Sequence, residues 1–185
     1  MRGLARRGSV TAEEDAVDDF AAFVHATGTQ LYRTALALTG DHHLAEDLTQ
    51  TAYAKVFASW RRVRKADNPV GYARTILLNT FLSHRRLRRS SEQPGRVELT
   101  ETLTSSPDEA ADANSETRLD LLAALRRLSA TDRAVLVARY WEDRSISETA
   151  TDLGISEAAV RTRAKRALER LRPLLDDFSP ERNLR

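Results

Sequence analysis

The sequence predicts an all-α protein made of two small helical domains joined by a flexible acidic linker. Three observations carry that expectation. Strand signals are nearly absent: Leu, Ala, Arg and Glu dominate, and the few glycines and prolines sit between periodic segments. Apolar residues recur at three- and four-residue spacing on both sides of a stretch that lacks this periodicity. That stretch, SSEQPGRVELTETLTSSPDEAADANSE (90–116), is polar and acidic and carries two prolines. A chain of 185 residues has room for one medium domain or two small ones, each with a modest core.

Taken in order, the chain opens with a stretch containing Arg2, Arg6 and Arg7, and residues 1–17 are expected to be disordered. Phe20, Phe23 and Val24 mark a first helix, and Leu31, Tyr32, Ala35 and Leu38 a second, ended near Gly40. Asp41 is placed to cap a third, long helix in which Leu44, Leu48, Ala52, Val56 and Trp60 repeat about every four residues. Asn68 and Pro69 are a good N-cap and first-turn pair for a fourth, with Val70, Ala73, Leu77 and Phe81 on its inner face. That helix runs out in HRRLRR (84–89) and closes a first domain over 18–90. The linker occupies 91–116, a second domain 117–175, and a short tail 176–185.

Leu119, Leu122, Leu125 and Leu128 begin the second domain, and Ser129 is a cap for the segment ATDRAVLVARYW. SISETATDLGISEAAVRTRAKRALERL (145–171) follows. Ser145 and Glu148 fit a capping box, in which hydroxyl and carboxylate satisfy the orphan amides of a helix start. Ile146, Ala150 and Leu153 recur at helical spacing before Gly154, a left-handed terminator, and Ser156 caps the next helix. There Val160, Ala164, Ala167, Leu168, Leu171 and Leu175 form one apolar stripe, interrupted near its end by Pro173, while Arg161, Thr162, Lys165, Arg166 and Arg170 fall outside it. Two helices joined by a short glycine turn, the second strongly basic, make a helix-turn-helix that can enter a DNA major groove.

Composition narrows the function. The formal net charge of +2 hides a segregation: Arg61 to Arg89 is basic, with Asp67 its one acid, and Glu92 to Asp120 is acidic, opposed by Arg96 and Arg118 alone. Two basic surfaces separated by an acidic tether fit a polyanionic partner. With no cysteine, disulfides, zinc knuckles and thiol catalysis are excluded. His25, His42, His43 and His84 have no ligand spacing, so no metal or other cofactor is expected. No apolar run reaches membrane-span length and no signal-peptide core is visible, so the chain is expected to be cytoplasmic. Acids concentrate in the linker instead of forming a metal or acid–base cluster, which argues against an enzyme.

The order helical domain, acidic linker, helix-turn-helix resembles the extracytoplasmic function (ECF) group of the sigma-70 family, specifically its actinobacterial SigE-like branch. HLAEDLTQTAYAKVFASW (43–60) is similar to region 2.2, NPVGYARTILLNTFLSHRRLRR (68–89) to regions 2.3 and 2.4, and the segment from Leu128 to Leu171 to region 4. Regions 1.1 and 3, which the group lacks, are not visible. The resemblance implies an RNA polymerase sigma factor that directs promoter recognition, DNA melting and transcription initiation. Asp47, Gln50 and Ala54 would dock on the clamp helices of the largest polymerase subunit; Thr51 stands where the family usually has an acid. A flap-region contact, promoter DNA and an anti-sigma factor complete the implied partners. Asn79, with Arg85, Arg86, Arg88 and Arg89 as a cationic track, would meet the non-template strand of the minus-10 element. Tyr72 and Phe81 fit core or base-stacking roles equally. Glu157, Ala158, Arg161 and Thr162 would approach minus-35 base edges, with Arg163, Lys165 and Arg166 on phosphates. An ordinary DNA-binding regulator and a nucleic-acid-processing enzyme are the competing readings.

Overall fold

The computed structural model describes residues 5–91 and 113–177, with side chains over 16–86 and 118–175. Its described elements are helical. They are α1 (Ala5–Thr39), α2 (His42–Ala58), α3 (Trp60–Val63), α4 (Pro69–Ser91), α5 (Ala113–Arg126), α6 (Ala130–Leu136), a π-helical turn (Val137–Trp141), α7 (Ile146–Leu153) and α8 (Glu157–Asp177).

Local signals set most element ends. Asp41 Oδ1 accepts from Leu44 N at 2.9 Å, and Asn68 Oδ1 from Gly71 N at 2.8 Å. Ser129 and Ser156 cap α6 and α8 in the same way, through Asp132 N and Ala159 N. The capping box is complete: Ser145 N donates to Glu148 Oε2 at 2.8 Å, and Glu148 N donates to Ser145 Oγ at 3.1 Å. Gly40 and Gly154 both take positive φ, 68° and 63°, where a side chain would be strained.

Four expectations are corrected. The first two helices are a single one, α1, which passes through Gly28 without a break and reaches back to Ala5, so 5–17 is helical and not disordered. Each glycine costs only about 1 kcal/mol in a helix interior, and the preceding stretch is free of proline and rich in Ala, so propagation wins. The third helix stops at Ala58; Trp60 belongs to the short α3, displaced by the turn at Ser59. Pro173 interrupts the apolar pattern of α8 while the helix itself continues to Asp177, because the bond the proline forfeits lies in a largely exposed final stretch. Leu168 and Leu175 are exposed at 43% and 38%, while Val160, Ala164, Ala167 and Leu171 are buried. Most of the linker, 92–112, and the tail from 178 lie outside the described residues.

The two helical units share one core. Ala35, Leu38, Leu48, Leu77, Leu78 and Phe81 pack in the same cluster as Leu125, Leu128, Val135, Val137, Val160 and Leu171. Phe81 is thereby a core residue, while Tyr72 is half-buried at the edge of a second cluster built from Leu31, Val56, Trp60, Val63 and Ala73. Phe20 closes that second cluster against Phe57 and Trp60, with ring centroids 4.8 and 5.2 Å away.

Polar side chains stitch the units together through the shared core. Arg133, 1% exposed, donates to the Leu38 carbonyl at 2.6 Å and to the Arg126 and Leu128 carbonyls at 2.7 and 3.3 Å. These oxygens lie at or just beyond the C-terminal ends of α1 and α5, where helix carbonyls lack intrahelical partners. Burial first, then Arg85 and Arg126, lower its pKa to about 10, so the guanidinium stays charged at neutral pH. Glu142, its side chain 2% exposed, ion-pairs with Arg74 at 2.6 Å and accepts a hydrogen bond from Thr34. Thr75 Oγ1 donates to Asp152 at 2.7 Å.

Replacing Arg133 with Leu is expected to lower stability by about 3 kcal/mol or more, because the buried carbonyls lose a donor worth roughly 1–3 kcal/mol each. Urea denaturation reads this as a lower midpoint, and Arg133→Lys recovers only part of the loss.

Candidate nucleic-acid interface

Helix α8 is built outward from its buried side. Burial of Val160, Ala164, Ala167 and Leu171 fixes which way α8 faces, and this leaves Glu157, Ala158, Arg161, Thr162, Lys165 and Arg166 exposed. Gly154 lets the chain turn from α7 within three residues, because its left-handed backbone sends Ile155 N back to the Ala150 carbonyl at 3.0 Å. Arg161 is 2.8 Å from Glu157 on the same face, and Lys165 lies 4.0 Å from Glu169. Such exposed i,i+4 pairs are worth a few tenths of a kcal/mol and yield readily to a phosphate. Arg163 differs, since it turns back to Asp132 Oδ1 at 2.8 Å.

On the first unit, Asp47, Gln50 and Ala54 are all exposed on α2, opposite the buried Leu48, Ala52 and Val56. Asn79, Arg85 and Arg86 are exposed along α4. Arg88 and Arg89 belong to the last turns of that helix, and their side chains lie outside the described ones. The structure brings two of these groups together: Asp47, Gln50, Thr51, His84 and Arg85 line one concavity, and Arg126 of the second unit forms part of its wall. The residues of α8 form a separate group.

Sequence reasoning missed the residues that hold these surfaces in place. Asp132 carried a readable signal, as the acid three residues after the cap Ser129. Arg74, Arg133, Glu142 and Asp152 carried none, since charged residues in amphipathic helices read as solvated. Near the entrance of α4, Arg62 lies 5.6 Å from the centre of the Tyr72 ring and donates to its hydroxyl. This cation–π contact also escaped notice. Among the described residues, no group of three or more His, Asp or Glu could hold a metal ion, and no helix is long and apolar enough to cross a membrane.

An exposed basic helix after a tight turn, packed on a helical unit that carries a cationic helix end, is the architecture of a two-module transcription factor. Comparison with known proteins identifies the kind. Residues 23–91 match the family Sigma-70 region 2, and residues 118–171 match Sigma-70, region 4. The RNA polymerase sigma-E factor of Streptomyces coelicolor is 34% identical, covering 83% of this chain and 84% of that one. The ECF RNA polymerase sigma factor SigL of Mycobacterium tuberculosis is 33% identical, over 82% and 86%. Among solved structures, the sigma factor RpoE in complex with the anti-sigma factor NepR from Bartonella quintana superposes with a TM-score of 0.67 at 26% identity, covering 85% and 97%. The chain belongs to the sigma-70 family as an ECF sigma factor, acting in transcription initiation.

The capping box of α7 makes its stability pH-dependent. Hydrogen bonds from the Ser145 backbone, then its side chain, with Arg144 nearby, hold the Glu148 carboxyl below its ordinary value of 4.5. A depressed carboxyl contributes fully above its unfolded value and loses that contribution as pH falls through the folded one. Glu148→Gln is therefore expected to melt below the parent at pH 7, with the gap closing as the solution is acidified below about 4.5.

Proposed function

We propose that this sigma factor joins core RNA polymerase through the α2 face of Asp47, Gln50 and Ala54 on the clamp helices, and through its second module on the flap region. It reads the minus-35 element with α8, and it meets the non-template strand of the minus-10 element with Asn79, Arg85 and Arg86 on α4. The observation that carries this reading is the outward face of α8: Arg161, Thr162, Lys165 and Arg166 lie together on its exposed side while its apolar stripe is buried. Lys165 and Arg166 meet phosphates, which position without reading sequence, and Arg161 pairs with a base edge. The protein supplies binding energy and leaves the chemistry to polymerase, and it works in the cytoplasm, where polymerase and chromosome meet. An anti-sigma protein is a further partner, in keeping with the complex known for the Bartonella sigma factor.

The shared core bears on how this happens. Elements named for positions near minus-35 and minus-10 are on the order of 85 Å apart at about 3.4 Å per base pair. A compact chain of this length has a radius of gyration of about 16 Å. Simultaneous engagement therefore requires the modules to separate. Fluorophores placed on α2 and α8 are expected to move apart when polymerase is added; unchanged transfer in an active holoenzyme refutes the separation.

Run-off transcription with core polymerase and genomic fragments tests the main reading, with promoter-specific transcripts that require this protein as the expected result. Arg161→Ala is expected to relax preference at one upstream base pair by about 1–3 kcal/mol. Asp47→Lys is expected to weaken polymerase capture while leaving the melting temperature unchanged.

A further inference from the structure

Asp132 lies outside every surface assigned above, yet it touches the reading helix twice. It sits in the first turn of α6, 7% exposed, with its backbone N–H donated to Ser129 Oγ at 3.2 Å. Its Oδ1 accepts from Arg163 at 2.8 Å and its Oδ2 from Arg170 at 3.5 Å. The two arginines are seven residues apart on α8, and Arg166 lies between them on the same side of the helix. Ala158, Ala159, Thr162 and Arg166 complete the concavity that Asp132 and its two arginine partners line. Arg166 has no ion-pair partner among the described residues.

We infer that Asp132 is a positioning residue for promoter duplex. By drawing the outer two of three aligned arginines back onto α6, it fixes the seating of α8 and limits how many cations that helix delivers to the DNA backbone. The inference rests on the reading of α8 as the minus-35 helix. A carboxylate near a polyanion would be repelled unless neutralised, and its two arginine partners neutralise it. They are exposed on their outer sides, with side-chain exposures of 42% and 62%, so burial does not hold them and the Asp132 charge does. Freed, both lie within reach of phosphate. Each cation committed to phosphate adds nonspecific affinity and salt dependence without reading a base. The carboxylate thus tilts the balance of α8 from grip toward selectivity, with Arg166 and Lys165 as its phosphate contacts.

The test uses the full chain with core polymerase on two promoter duplexes, one with the upstream element intact and one with it scrambled, titrated across potassium chloride concentrations. Asp132→Asn keeps the shape and removes the charge. Its slope of log affinity against log salt is expected to steepen by about 1–2, since each freed arginine contributes about 0.9. Preference for the intact element is expected to fall several-fold, and Asp132→Glu to restore both. A normal slope with both duplexes weakened equally assigns Asp132 to fold support and overturns the inference. Should Asp132→Asn fail to fold, Arg163→Gln combined with Arg170→Gln decides the matter in the parent background. A slope equal to the parent's supports the inference, and a shallower one, showing both arginines already on phosphate, overturns it. If the parent holoenzyme itself ignores the upstream element, the minus-35 reading fails and this inference falls with it, an outcome visible before any variant is made.

Discussion

The structure depends on one buried cation. Two helices, α1 and α5, end close together, and each leaves carbonyls with no partner inside the helix. Arg133 answers both ends at once, as a planar, permanently charged donor whose fork reaches several oxygens. Its pKa of about 10 leaves the charge intact at any physiological pH, so the joint does not titrate. Around it the apolar faces of two modules merge into a shared core, with Arg74 ion-paired to Glu142 and Thr75 hydrogen-bonded to Asp152 at the seam. A buried ion pair contributes little net stability, but breaking one partner leaves an uncompensated charge, which makes the seam specific to this docking.

The joint determines what the docked protein hides and what it shows. The inner face of α4 and the stripe of α8 are consumed, while the outward residues of both helices stay in solvent. Docking therefore does not mask the exposed faces of the two helices; it sets the distance between them. The same arrangement places Arg126 at the wall of the concavity beside Asp47 and Gln50, so the α2 face is flanked by a cation from the other module.

Much of this was legible because helix ends are local. Asp41, Asn68, Ser129, Ser145 and Ser156 act within three or four residues, and Gly40 and Gly154 act by their own backbone, so each could be read without knowing what lay nearby. The exposure of Asp47, Gln50, Asn79 and Arg161 followed from their position off an apolar seam. The docking was illegible for the opposite reason. Its contacts join residues such as Thr34 and Glu142, or Leu38 and Arg133, roughly a hundred positions apart, and they use residue types that ordinarily face water. Arg163 shows the cost: its cation was visible in the sequence, but its partner stands 31 positions upstream on another helix.

The π-helical turn from Val137 to Trp141 carries a last consequence. There Glu142 N reaches back to the Val137 carbonyl at 3.0 Å, one residue farther than an α-helix allows, so the turn holds a surplus residue. Excising one codon there would restore regular winding and leave all that follows close to its present phase, because the widened turn already absorbs the extra residue. Glu142 would still face Arg74, and the capping box, the glycine corner and the basic helix would keep both their internal geometry and their facing. The widened turn thus makes this length of chain forgiving, since one residue more or less changes the pitch of the coil and spares the clasp beyond it.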